Sequence, residues 1–136
     1  MIFVLIAEDD EDDQALIRDA FEQVVPGVQL RVADNGESLL QQLRAMPVLP
    51  ALIILDVNMP RLDGFETLAE LQQSERYRRI PTLMLSTASY GPYISKAYVA
   101  GAKAYLIKPN GFADLQEMVR GMQLFWLRLH DLVKHE

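Results

Sequence analysis

Short apolar runs alternate with amphipathic stretches along the whole chain, an arrangement typical of βαβ units. The predicted strands cover residues about 2–7, 28–33, 51–55, 81–86 and 103–107. In the second run Val28, Leu30 and Val32 alternate with other residues, as in an edge strand. The run 51–55 is apolar throughout, as in a parallel strand buried on both faces. The pattern predicts an α/β fold: a doubly wound, five-stranded parallel sheet with helices on both faces.

Apolar residues at helical spacing follow each predicted strand. The first helix presents Leu16, Ala20 and Val24 at intervals of four residues. The next two helices carry apolar residues at similar spacing: Leu39, Leu40 and Leu43, then Phe65, Leu68 and Leu71. Before Gly101 the pattern indicates only a short fourth helix, because the Gly-Pro-containing stretch 89–93 is typical of a loop.

Length and composition limit the fold and the function. The 136 residues fit one domain, 1–136, and half of them are apolar, as in an ordinary soluble protein. The net charge of -6 argues against binding to nucleic acid or a membrane surface, since both are anionic. The absence of cysteine agrees with a reducing, cytoplasmic location. The apolar start, residues 1–7, lacks a basic region and runs into acids, so it indicates a strand rather than a signal sequence.

Four of the predicted strands end at a reactive polar side chain. Glu8 and Asp9 follow the first, Asp56 the third, Ser86 the fourth and Lys108 the fifth. The carboxyl ends of parallel strands share one sheet edge, where open α/β folds bind their ligands. Three acids meeting there would repel unless a cation lay between them, and a site with only oxygen ligands favours Mg²⁺. The set suits phosphoryl transfer, with Asp56 as the nucleophile.

Structural roles remain open for each of these residues. Asp56 could cap the turn before Pro60, and Lys108 and Ser86 could be ordinary residues at strand ends. The acids at 10–13 continue into the first turn of the first helix, where they would stabilise the helix dipole. His130 and His135 are expected to face solvent and are assigned no role.

Four sequence blocks resemble the receiver domain of two-component response regulators. They are Val4 to Asp10, Leu55 to Pro60 with Asp63-Gly64, Met84 to Thr87, and Gly101 to Pro109. The resemblance covers residues 2 to about 123, and the order and spacing of the blocks are highly specific. It implies the flavodoxin-like strand order 2-1-3-4-5.

The resemblance also implies a role for each matching residue. Asp56 would be the phosphoacceptor, and Mg²⁺ would be held by Glu8, Asp9, Asp56 and the backbone carbonyl of Asn58. Ser86 and Tyr105 would be the switch residues, and Lys108 would bind the phosphoryl group. Such domains take the phosphoryl group from a sensor histidine kinase or a histidine phosphotransfer protein. Apart from this self-phosphorylation and a slow autodephosphorylation, no enzymatic activity is expected.

The C-terminal residues predict one long helix, about 112 to 134. At about 35 Å it is longer than a domain of this size needs to cover its sheet, so residues about 124–136 form an extension. The apolar stripe continues along the extension, and a homodimer through it is expected. The expected interface residues are Met122, Phe125, Trp126, Leu129, Leu132 and Val133. The alternative is a helix that curls back on its own domain.

The sequence therefore predicts a stand-alone response regulator that signals by a conformational switch and contact with a downstream protein. One alternative is a receiver-like interaction module that is not phosphorylated. Another is a phosphatase of the haloacid-dehalogenase type, which is disfavoured because Asn58 stands where such enzymes place an acid. The kinase, the target and the phosphoryl lifetime are not specified by the sequence.

Overall fold

In a computed structural model, residues 2–127 form one five-stranded parallel sheet with helices on both faces. The strands are β1 (Ile2–Ala7), β2 (Val28–Ala33), β3 (Leu52–Asp56), β4 (Thr82–Ser86) and β5 (Ala104–Ile107). The helices are α1 (Glu11–Val24), α2 (Gly36–Ala45), α3 (Gly64–Gln73), α4 (Gly91–Val99) and α5 (Phe112–Met122), and a π-helical turn, Gln123–Leu127, follows. No helix within residues 2–127 is long and apolar enough to cross a membrane.

The strand order is β2-β1-β3-β4-β5, which confirms the predicted topology. The central strands β3 and β4 are buried along their whole length, whereas β2 at the edge alternates between partly buried and exposed residues. This difference follows from position, because a central strand is covered by helices on both faces. All ladders are parallel, so the carboxyl ends of the strands lie along one edge.

Two separate cores lie on the two faces of the sheet. One core contains alternate sheet residues such as Leu5 and Leu55 and is covered by α2, α3 and α4. The other contains Ile54 and Leu85 and is covered by α1 and α5. Side chains that alternate along a strand point to opposite faces, so each strand contributes to both cores.

The core face of helix α1 differs from the predicted one at one position, since Ala20 is buried and Val24 packs against the core as expected. Its core residues are Ile17, Ala20 and Phe21, whereas Leu16 is 45% exposed. Residues on one face of a helix are separated by three or four positions, not by four alone. With both spacings, Ile17 lies on the same face as Ala20 and Phe21. Of the three apolar residues given for this helix, Leu16 therefore lies off the core face, and its neighbour Ile17 is buried in its place.

Helix α4 begins at Gly91, inside the stretch whose composition predicts a loop. Pro92 lies in its first turn, where its fixed φ angle suits the helix and its missing N–H breaks no bond. Glycine and proline therefore mark the start of this helix. The predicted short helix before Gly101 is confirmed, and it is one turn longer than its apolar spacing indicates.

The end of the chain departs from the predicted single α-helix. After Met122 the backbone forms the π-helical turn, and an i to i+5 turn takes one residue more than an α-helical turn. Because of this extra residue, Leu127 rather than Phe125 packs in the core below α5. The rest of the predicted helix, from residue 128 onward, lies outside the described residues.

Candidate functional site

The reactive residues predicted at the strand ends lie together at the carboxyl edge of the sheet. Glu8 follows β1, Asp56 ends β3, and Lys108 follows β5 and reaches across toward both acids. Asp56 and Glu8 are buried, while Asp9 is exposed. Parallel pairing of β1 with β3, and of β3 with β4 and β4 with β5, brings these distant parts of the chain to one place.

Lys108 is the electrostatic centre of the site. Its Nζ lies 2.6 Å from Glu8 Oε1, 3.0 Å from Asp13 Oδ2 and 3.2 Å from Asp56 Oδ2. The lysine side chain is only 16% exposed and Glu8 and Asp56 are buried, so these two ion pairs are little screened by solvent, whereas Asp13 is more exposed. One ammonium group is thus shared by three carboxylates.

The charges shift the pKa values of the pair formed by Glu8 and Lys108. Burial raises the pKa of Glu8 to about 7, and the nearby Asp56 adds to the rise, while Lys108 opposes it. Burial alone would lower the pKa of Lys108, but contacts with Glu8 and Asp13 and the charge of Asp56 hold that pKa above its ordinary value. Lys108 therefore stays charged. Its single positive charge is not enough to balance the carboxylates around it.

The three acids fit a divalent cation. Carboxylate oxygens of Glu8, Asp9 and Asp56 lie within 4.8 Å of one another. Glu8 Oε1 is buried and, although it is paired by charge with Lys108, it has no hydrogen-bond partner among the described residues. A set of three carboxylates with only oxygen ligands, two of them buried, suits a hard ion such as Mg²⁺ or Mn²⁺.

Backbone contacts hold Asp56 in place. The Val57 N–H donates to the Leu85 carbonyl at 3.2 Å, which extends the β3–β4 ladder past Asp56. The Asn58 N–H donates to Asp56 Oδ1 at 3.2 Å, and the Gly64 N–H donates to the Val57 carbonyl at 3.1 Å. Asp56 Oδ1 thus accepts a backbone N–H, and Oδ2 faces Lys108.

Ser86 and Tyr105 both bind the same residue, Ala88, at the start of the loop before α4. Ser86 Oγ accepts a hydrogen bond from the Ala88 N–H at 3.0 Å. The Tyr105 hydroxyl donates to the Ala88 carbonyl at 2.8 Å. Both side chains are buried, and the Tyr105 N–H donates to the Tyr98 hydroxyl at 3.2 Å. The two predicted switch residues are therefore connected through one backbone residue.

Asp13 is a member of the site that the sequence does not reveal. Its position in the first turn of α1 predicts only an interaction with the helix dipole, as for its neighbours. Asp10 does have a role at this helix end, because it caps α1 by accepting from the N–H groups of Asp12 and Asp13. Within the acid run, no sequence signal separates Asp13 from Asp12.

The expected interface residues are divided by the structure. Met122 is 3% exposed and packs in the core with Val119, and it also lines an apolar groove beside Phe125, so it offers little surface of its own to an interface. Phe125 is 69% exposed, and Trp126 is partly buried beside it, with ring centroids 5.9 Å apart. Leu129, Leu132 and Val133 lie outside the described residues.

This fold and site belong to a known family of signalling proteins. Residues 4–120 match the response regulator receiver domain, so the chain belongs to the receiver family of two-component signalling. Members of this family work with histidine kinases or phosphotransfer proteins.

Individual relatives match most of the chain. The probable methanogenesis regulatory protein FilR2 of Methanothrix harundinacea is 33% identical over 128 residues, which cover 91% of this chain and 83% of FilR2. Response regulator Rcp1 of Synechocystis is 30% identical over 129 residues, covering 91% of this chain and 88% of Rcp1. The phosphorylated cyanobacterial phytochrome response regulator RcpA superposes with a TM-score of 0.85 at 30% identity, covering 93% of this chain and 94% of RcpA.

Metal binding is known for a similar structure. The Mn²⁺-bound form of Rcp1 superposes with a TM-score of 0.81 at 28% identity, covering 92% of this chain and 94% of Rcp1. Together with the cluster of Glu8, Asp9 and Asp56, this similarity supports a divalent metal site in the present chain.

Proposed function

We propose that this receiver accepts a phosphoryl group on Asp56 from a phosphohistidine donor and signals through the resulting change in conformation. The observation that carries the proposal is the environment of Asp56. Its carboxylate is buried at the end of a central strand, with Oδ2 3.2 Å from the Lys108 ammonium and with two more acids beside it. A carboxylate with a fixed cation next to it is suited to attack phosphorus.

The transfer itself exchanges one bond to phosphorus for another. An Asp56 oxygen attacks the phosphorus atom, and an O–P bond forms as the N–P bond of phosphohistidine breaks. The electron pair of the broken bond stays on the ring nitrogen, and the imidazole leaves neutral because its other nitrogen keeps its proton. Lys108 neutralises charge on the transferred group, and the buried Asp56 is shielded from competing water.

Mg²⁺ is the metal that we propose for the acid cluster. Glu8, Asp9 and Asp56 would hold it, together with the backbone carbonyl of Asn58. When bound, Mg²⁺ supplies positive charge that offsets the acids and the incoming phosphoryl oxygens. The proposal is supported by the oxygen-only donor set and by the burial of Glu8 and Asp56, two of its three carboxylates.

We propose that the conformational change caused by phosphorylation is transmitted through Ala88. A new phosphoryl group on Asp56 offers Ser86 a stronger acceptor than any it has now, and Ser86 would release the Ala88 N–H to reach it. The Tyr105 hydroxyl, which holds the Ala88 carbonyl, would then change partner as well. The face formed by α4, β5 and α5 would thereby shift between two states and present a new surface to a downstream protein.

Intact-mass measurement with phosphoramidate tests the phosphoacceptor. In Mg²⁺ the protein should gain about 80 Da, the mass of one phosphoryl group. Excess chelator should prevent the gain, because three acids and a phosphoryl group cannot share one site without the cation. A protein that gains no mass in any divalent metal would instead be a receiver-like interaction module.

We also propose a homodimer through the end of α5 and the π-helical turn. Leu124 and Phe125 are 60% and 69% exposed, and an apolar groove of about 530 Å³ lies beside Phe125, lined by Leu106 and Met118 among others. Exposed aromatic and aliphatic side chains next to an apolar groove are typical of an interface between protein chains.

Sedimentation equilibrium tests the dimer. The wild-type protein should approach twice its mass of 15.4 kDa as its concentration rises, and Phe125→Glu should remain monomeric because a charge would be buried at the interface. Val48→Glu is the matched control, since Val48 is similarly exposed but lies between α2 and β3. A wild-type protein that stays monomeric at tens of micromolar would contradict the dimer.

A further inference from the structure

We infer that Asp13 is a positioning residue for Lys108, an inference that rests on the proposed phosphoryl transfer. Asp13 Oδ2 lies 3.0 Å from the lysine Nζ, between the distances to Glu8 and Asp56. Asp13 comes from the first turn of α1, so it approaches the ammonium from a helix rather than from the end of a strand.

Asp13 differs from the other two acids in its relation to the metal. The cluster that could hold a cation consists of Glu8, Asp9 and Asp56, and Asp13 is outside it. A cation in that cluster would draw the Glu8 and Asp56 carboxylates toward itself and weaken their hold on Lys108. Asp13 would then remain as the carboxylate partner of the lysine that is not committed to the metal.

The backbone around Asp13 is well anchored. Its N–H donates to the Asp10 side chain at 3.0 Å, which fixes the first turn of α1. The neighbouring Gln14 side chain donates to the Glu8 carbonyl at 2.5 Å and to Asp34 at 3.0 Å, and so ties the helix to the ends of β1 and β2. Asp13 therefore presents its carboxylate from a fixed place relative to Asp56.

The Lys108 side chain also borders a small cavity next to Asp13. This cavity of about 40 Å³ is lined by Asp13 and Lys108 together with apolar side chains of α1, β4 and α5, among them Ile17, Leu85 and Leu115. An apolar wall restricts the stem but does not orient the charged end. Because a lysine has four rotatable bonds and a freely turning ammonium, a fixed carboxylate near its end limits the positions that it can adopt.

The expected effect is moderate because Asp13 is 38% exposed, and solvent screens its charge. Asp13→Asn should lower the maximal rate constant for phosphorylation by phosphoramidate about threefold to tenfold, with little change in the Mg²⁺ concentration for half-saturation. Asp12→Asn is the matched control: it removes the same charge one residue away, from an exposed side chain. It should leave the rate within about twofold of wild type.

A double-mutant cycle shows whether Asp13 acts through the lysine. In a Lys108→Ala background, Asp13→Asn should have no further effect on the rate constant. A second measurement does not depend on phosphorylation: the Lys108 ammonium should give a slowly exchanging ¹H–¹⁵N signal that weakens in Asp13→Asn and persists in Asp12→Asn.

The outcomes separate the inference from the proposed function. If wild-type protein is phosphorylated on Asp56 but Asp13→Asn behaves like Asp12→Asn in rate and in ammonium signal, only the role of Asp13 is overturned. The inference would also be overturned if Asp13→Asn lowered the phosphorylation rate constant equally in the wild-type and the Lys108→Ala backgrounds. Asp13 would then act through its charge on the site as a whole and not through Lys108. A wild-type protein that accepts no phosphoryl group overturns both.

Discussion

Asp56→Asn is expected to eliminate the phosphoryl adduct. The substitution replaces the attacking oxygen anion with a neutral amide and keeps the shape of the side chain, so the fold should survive. The amide would also weaken the hold on Lys108, whose Nζ is 3.2 Å from Asp56 Oδ2. Intact mass after exposure to phosphoramidate and Mg²⁺ should therefore show no gain, against about 80 Da for wild type.

The control for this experiment is an acid near the site that is not part of the metal cluster. Asp34 lies after β2 and accepts a hydrogen bond from Gln14, which the amide oxygen of asparagine can still accept, so Asp34→Asn changes only the charge near the sheet edge and does not touch Asp56. It should be phosphorylated like wild type. Reduction of the adduct with borohydride, followed by peptide mapping, should place it at residue 56. An adduct of equal yield on Asp56→Asn would show that another side chain is the acceptor.

Gly64→Ala is expected to destabilise the protein by about 3 kcal/mol, near the upper end of the range for overpacking. A β-carbon at this position would collide with the backbone oxygen of Asp56 and would lie 2.9 Å from both Val57 Cα and Met84 Cε. Met84 can move, but the backbone of Asp56 and Val57 cannot move without displacing the end of β3. Urea denaturation should show a lower midpoint with an unchanged slope.

Gly121→Ala is the matched control for Gly64→Ala. Gly121 lies within α5, and a β-carbon there would meet no atom within 4 Å. Alanine should raise the stability by up to about 1 kcal/mol, because glycine is the poorer helix former. If Gly64→Ala denatures at the same urea concentration as wild type, the close approach of α3 to Asp56 does not constrain the fold as described.

The strands of the sheet could be predicted from the sequence because the central strands are buried at every position, whereas the edge strand alternates between partly buried and exposed residues. Runs such as 52–56 are buried at every position, and an apolar run of that length bounded by turn residues is typical of a central strand. The edge strand β2 was identified from its alternation, which reflects one face that packs and one that is exposed. The strand order, by contrast, came from the resemblance to receiver domains, since periodicity carries no information on which strands are neighbours.

The helices were predicted less accurately, and the reason is physical. Leu16 and Ile17 are both apolar and adjacent, and only the packing of Phe21 against the sheet decides which of them faces the core. Helix α4 starts at a Gly-Pro pair that is common in loops as well as in first turns. Local sequence does not distinguish these alternatives, because their free energies differ mainly in tertiary contacts.

The functional site, like the fold, could be predicted only in part. Residues at strand ends could be brought together by topology alone, so Glu8, Asp56 and Lys108 were found. Asp13 was not found, because its contact depends on the direction of a helix relative to the sheet. The link between Ser86 and Tyr105 through Ala88 was also beyond the sequence, since it depends on the conformation of a loop.

The number of residues in the π-helical turn decides which side chains at the end of α5 face outward. One added residue rotates everything after it by about 100° around the helix axis. Deleting one of residues 123–126 would restore α-helical register with Leu127 still in the core, because Leu127 would then follow Met122 by four residues rather than five. Such a deletion would remove or move the exposed Leu124 and Phe125 without changing which residue packs in the core below α5. The length of this turn, as well as the residues within it, would then decide which apolar side chains the end of α5 presents at the surface.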